Sequence, residues 1–107
     1  MVEFIFNNLT KTLVCELNGR FGAEVNELFS ARLTEKIEVY TNSVEVPGKL
    51  MVFFDLKNVT FIASAFIRTC LAISRQVDAE NFRIINASPV IKKTFKIAGL
   101  DEMLHVT

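Results

Sequence analysis

A chain of 107 residues that is half hydrophobic, with ten phenylalanines, suits one small domain around one core. Twelve basic and twelve acidic residues cancel, which argues against a nucleic-acid surface and leaves homo-oligomerisation open, since little net charge opposes association. No apolar run reaches the ~18 residues of a membrane span. The N-terminal MVEFIFNN lacks the basic flank of a signal peptide, so a cytoplasmic protein without direct membrane insertion is expected.

In chain order, residues 2–6 (VEFIF) read as a short strand and Asn7-Asn8 as a turn. Residues 11–17 (KTLVCEL) read as a second strand that ends at an Asn18-Gly19 turn. From Ala23 the period changes: Val25, Leu28, Phe29, Leu33 and Ile37 follow helical spacing to about Tyr40, before a loop containing Pro47-Gly48. LMVFFDL (50–56) is apolar almost throughout, as a central strand would be. A second helix is predicted over about 65–77, with Phe66, Cys70, Ile73 and Val77 as its inner stripe. FRIIN (82–86) is a further strand, and Ser88-Pro89 opens a third helix as N-cap and first residue. In that helix Val90, Ile91, Phe95 and Ala98 face inward, the three lysines 92, 93 and 96 face out, and Gly99 suits the C-terminal end. MLHV closes the chain as a fifth strand.

The order β-β-α-β-α-β-α-β implies an α/β fold with a mostly parallel, mixed five-stranded sheet and about three helices. The first strand is free to join by a hairpin and run antiparallel. Functional loops belong at the carboxyl ends of the parallel strands, here Asn18–Gly22, Lys57–Ser64 and Ala87–Ser88.

Residue types that carry chemistry are scarce on that rim. His105 is the only histidine, and with no second ligand it reads as a half-exposed strand residue rather than a metal site. Cys15 and Cys70 sit in apolar segments without CxxC spacing; one bridge is compatible with the sequence, but two buried thiols are the simpler reading. No glycine-rich phosphate loop and no G-x-S-x-G elbow exist, and no cofactor is implied. Ser64 is the one nucleophile candidate, with Asp55 and the distant His105 as the only bases to consider. Capping of the second helix by Ser64, after the poor cap Ala63, accounts for it more simply. Asp55 reads as a strand-end residue and the lysine trio as a solvated helix face.

The segment VFFDLKNVTFIASAFIRTCLAI resembles the STAS domain of anti-sigma factor antagonists, in which a strand ending in an acidic residue leads through an apolar turn into a D-S-S/T-G-L segment. LNGRF (17–21) is similar to the leucine–glycine turn before the family's first helix. INASPVIKKTFKIAGLDEML (85–104) is similar to its fourth strand, third helix and closing G-L-D segment. Each motif is loose alone; their order and spacing carry the resemblance over nearly the whole chain, so residues 1–107 are expected to form a single STAS-like domain.

Laid over D-S-S/T-G-L, this chain gives Ala63, Ser64, Ala65, Phe66 and Ile67. The resemblance puts the phosphoacceptor position at Ala65, where a methyl group cannot accept phosphate, and leaves Ser64 as an alternative acceptor. Phe66 in the glycine position resembles the stressosome-type branch. The family implies a non-enzymatic regulatory module of transcription control and signalling, binding through Asn18, Arg20, Phe21, Ala63, Ser64, Ala65, Phe66, Arg68 and Ser88. Its partner would be an anti-sigma factor or kinase-type ATP-binding protein, or other STAS domains. The alternatives are a STAS subunit of a lipid-transport ATPase complex, and a small-ligand sensor or enzyme using the Ser64 rim.

Overall fold

The structure, a computed structural model, describes residues 1–42 and 50–107; the expected Pro47-Gly48 loop lies outside these residues. Strands β1 (Val2–Asn7) and β2 (Thr12–Phe21) lead into helix α1 (Ala23–Asn42). Strand β3 (Met51–Ile62) is followed by α2 (Ser64–Val77), a short 3-10 turn, β4 (Phe82–Ile85) and α3 (Pro89–Ile97). The sheet order is β1-β2-β3-β4, with β1 antiparallel to β2 and the other pairs parallel. Asn7 makes the hairpin turn by accepting the backbone N–H groups of Leu9 and Thr10 on its side-chain oxygen.

Alternation sets the two faces of the sheet. Leu13, Cys15 and Leu17 of β2, Val52, Phe54 and Leu56 of β3, and Phe82 and Ile84 of β4 all point to one side and are buried. The helices cover that side. Phe29 and Phe66 meet Phe54 at centroid distances of 5.5 and 6.1 Å, and Ile91, Phe95 and Leu104 join the same apolar cluster. Burying a side chain of this size contributes about 1.5–3 kcal/mol. The aromatic residues therefore dominate the core.

Several expectations are corrected. The sheet has four strands among the described residues, not five. Residues 103–106 make turns, with a single parallel bridge from Val106 to Ile84. Their N–H groups are already used locally: those of Leu104, His105 and Val106 donate to the carbonyls of Leu100, Glu102 and Asp101, and His105 has a φ of 52°. With those donors used locally, only the last residue donates across: the Thr107 N–H bonds the Ile84 carbonyl, while the His105 and Thr107 carbonyls accept from Ile84 and Ala87.

Asn18-Gly19 is not a turn but part of β2, and residues 57–62 are strand rather than loop. In α1 the buried fourth member of the stripe is Asn26, while Leu28 is exposed. In α3 Val90 and Ala98 are exposed, because Ile91 and Phe95 alone define the inward direction of so short a helix. Ser88 caps α3 as expected, accepting the N–H of Ile91 at 3.3 Å with Pro89 first in the helix. Gly99, at φ 75°, ends it: its N–H donates to Lys96 and that of Leu100 to Phe95.

Candidate functional site

Beyond the main sheet, β2 and β3 continue as a two-stranded ribbon. Asp55 pairs with Glu16, but Asn58 pairs with Asn18 and Phe61 with Arg20, so β3 twice carries an extra residue. The buried positions of β3 change spacing accordingly, from Val52, Phe54, Leu56 to Leu56, Val59, Ile62. Bulges of this kind re-aim side chains at the end of a sheet. Gly19 sits between the irregularities at φ 95°, a region in which side chains are strained. The ribbon ends where the Ala63 N–H donates to the Phe21 carbonyl at 2.9 Å, fixing the start of α2 against the end of β2.

Helix α2 begins at Ser64. Its N-cap is Ala63, in extended conformation and with no side-chain cap. The reading of Ser64 as the cap is therefore corrected by one residue: in the first helical position its hydroxyl is exposed and free of the capping role. The first turn closes through the Ala63 carbonyl, which accepts from Phe66 and Ile67 at 3.0 and 3.4 Å. The N–H groups of Ser64 and Ala65 precede any intrahelical acceptor, which gives this end of the helix partial positive charge.

Asn18, Arg20, Ser64 and Arg68 are exposed on this rim, and Ala63 and Ala65 are half-buried. Two residues expected to contact a partner cannot do so directly. Phe21 and Phe66 are fully buried, 5.4 Å apart between ring centres, and both also pack on Phe29. They form the floor of the rim because four phenylalanines fill the space between ribbon, α1 and α2. Ser88 stands at the end of β4, half-buried, with its hydroxyl engaged as the α3 cap.

Phe61 was missed. It is 39 % exposed, and the Arg20 guanidinium lies over its ring at 4.5 Å. Arg20, Phe61 and the first residues of α1 line an open recess of about 360 Å³. Only the β2–β3 register, which pairs Arg20 with Phe61, brings these two together.

Asp55 is buried, and one carboxylate oxygen accepts both the Lys57 N–H at 3.0 Å and the Asn86 side-chain N–H at 3.1 Å. It ties the carboxyl end of β3 to the loop before α3. Burial pushes the thiols of Cys15 and Cys70 well up from the ordinary value, keeping both protonated and inert. The His105 Nδ1 lies 3.0 Å from both the Phe82 carbonyl and the Arg83 guanidinium. Among the described residues no group of three or more His, Cys, Asp or Glu side chains could hold a metal ion, and no helix is long and apolar enough to cross a membrane.

No protein-family model matches the chain, and no curated protein matches it in sequence. Solved structures do. The anti-sigma factor antagonist SpoIIAA in its unphosphorylated form is 18% identical, with a TM-score of 0.67 over 91% of this chain and 83% of that one. The phosphorylated form of SpoIIAA, a Bacillus cell fate determinant, is 19% identical, with a TM-score of 0.67 over 100% and 91%. An anti-sigma factor antagonist from Mycobacterium paratuberculosis is 16% identical, with a TM-score of 0.69 over 99% and 85%. The chain therefore has the fold of the SpoIIAA-type anti-sigma factor antagonists, the STAS fold.

Proposed function

We propose that this chain is a non-enzymatic regulatory module of the cytoplasm that binds a protein partner through the rim formed by the β2–β3 ribbon and the start of α2. The observation that carries the reading is the state of that helix start. It is tied to the ribbon by the Ala63–Phe21 backbone bond, floored by buried phenylalanines, and presents Ser64 and Arg68 to solvent. Solved relatives in fold are anti-sigma factor antagonists, one of them in phosphorylated and unphosphorylated forms. A partner of the same kind, an anti-sigma factor or kinase-type ATP-binding protein, suits this surface.

Ala65 stands at the acceptor position that the sequence resemblance defines, and its methyl group takes no phosphate. Binding here is constitutive, not switched at that position. A phosphate on Ser64 would be tolerated electrostatically by the helix end, but nothing in the geometry calls for one.

Affinity capture from the source cells, with partners identified by mass spectrometry, tests the reading. Wild-type protein should enrich one ATP-binding partner, and Arg68→Glu should lose most of it. Equal capture by both proteins would remove the rim from the account.

A further inference from the structure

The sheet face turned away from the helices is uncovered among the described residues. Its side chains follow from the register in two adjoining rows. One row runs Glu3, Glu16, Asp55 across β1, β2 and β3; the next runs Ile5, Val14, Phe53. Glu3 is exposed and Glu16 only half-buried, and Ile5 is 44 % exposed. Glu3 and Glu16 stand directly opposite each other in an antiparallel pair, an arrangement that is unfavourable for like charges. Neither side-chain carboxylate is hydrogen-bonded or ion-paired among the described residues. Lys57 and the row of carboxylates share one recess of about 240 Å³, and Arg83, which stands opposite Phe53 on β4, is held by the carbonyls of Glu80 and Phe82. This face is acidic and apolar: Lys57 is the one cation in the recess, against Glu3, Glu16 and Asp55.

The complement lies on the other side of the core. Helix α3 contains three lysines and no acidic residue. Ile91 and Phe95 point inward, so helical spacing turns Lys93 directly outward, with Lys96, Val90 and Ile97 beside it. Val90 and Ile97 are 76% and 77% exposed, unusual for residues of their size in a helix already packed on a core. A nine-residue helix is ~14 Å long, and the first and fourth strands of a sheet are ~14 Å apart. The helix is therefore long enough to cross the open face.

We infer that the outer face of α3 in one molecule docks on the open sheet face of a second copy of this chain, with Lys93 and Lys96 over Glu3 and Glu16 and with Val90 and Ile97 on the Ile5–Val14–Phe53 row. The chain itself argues for that occupant: it carries two faces of opposite net sign, Lys92, Lys93 and Lys96 beside Asp101 on one and Glu3, Glu16 and Asp55 beside Lys57 on the other, each bearing exposed apolar groups. The two surfaces differ and lie on opposite sides of the core, so the contact is head-to-tail and open-ended rather than a closed dimer. One short helix covers less than the ~1,000 Å² of a stable interface, so the association is weak and salt-sensitive. It does not use the start of α2, although the acidic recess runs on to Asn18 and Asn58 at the base of the ribbon.

Sedimentation velocity of the full chain over a concentration series, at low and high salt, tests this. Wild type should show a sedimentation coefficient that climbs with concentration at low salt and falls to the monomer value at high salt. Lys93→Glu/Lys96→Glu and Glu3→Lys/Glu16→Lys should each be monomeric alone, with unchanged far-ultraviolet circular dichroism. An equal mixture of the two should associate again, because each supplies the face the other needs. Should the strand variant fail to fold, the exposed lysine variant and the salt series carry the test alone. Wild type that stays monomeric throughout, association indifferent to salt, or a lysine variant that assembles like wild type would each overturn the inference. So would a mixture of two folded variants that fails to recover.

Discussion

Two helices of this chain begin differently, although each has a serine at its start. Ser88 precedes α3 and gives its hydroxyl to the Ile91 N–H, so that helix end is closed. Ser64 falls one residue later relative to its helix, inside α2, and the capping position is left to Ala63, which has nothing to offer. The same side chain is a structural part in one place and an exposed group in the other. A helix start left uncapped at the edge of the ribbon is a surface with unspent hydrogen-bonding capacity, and that is where we propose the partner site.

Substitutions sharpen the contrast. The largest effect should come from beneath the open end. Phe66→Ala, which empties a fully buried site among Phe21, Phe29 and Phe54, should cost about 3–5 kcal/mol in urea denaturation. A loss below about 1 kcal/mol would mean that the phenylalanine floor is not what holds the rim. Next, Ser88→Ala should destabilise by about 1 kcal/mol through loss of the α3 cap. Supplying the missing cap should do the reverse: Ala63→Ser, at an extended position suited to capping, should raise stability by about 0.5–1 kcal/mol. The smallest effect belongs to Ser64→Ala, within about 0.5 kcal/mol of wild type, as for an exposed residue without a structural bond. If Ser64→Ala instead matched the loss at Ser88, the two helix starts would be alike and the contrast would disappear.

Much of this architecture was legible from the sequence. The helix periods placed α1, α2 and α3 to within about two residues, and Ser88-Pro89 and Gly99 marked α3 correctly because capping chemistry is local. The sequence of strands and helices, together with the ASAFI segment, sufficed to point to the STAS fold. What escaped depended on contacts distant in the chain. Asn18-Gly19 carries every local sign of a turn, yet β3 pairs across it and the two bulges absorb the irregularity. Phe66 looked available to a partner because it stands in the first turn of a helix; three other phenylalanines, from β2, α1 and β3, enclose it. MLHV has the composition of a strand, but the turn after Gly99 consumes its donors. Phe61 gave no signal of its own until the register put Arg20 beside it.

The central claim is that the start of α2 recognises a partner without a phosphorylation switch at either Ser64 or Ala65. Intact-mass spectrometry of the protein from its own cells, taken separately from the partner-bound and free pools, addresses it most directly. The account predicts unmodified protein in both pools, with partner bound to the unmodified form. A free pool carrying one phosphate on Ser64, with the bound pool unmodified, would contradict it and make the exposed serine the switch.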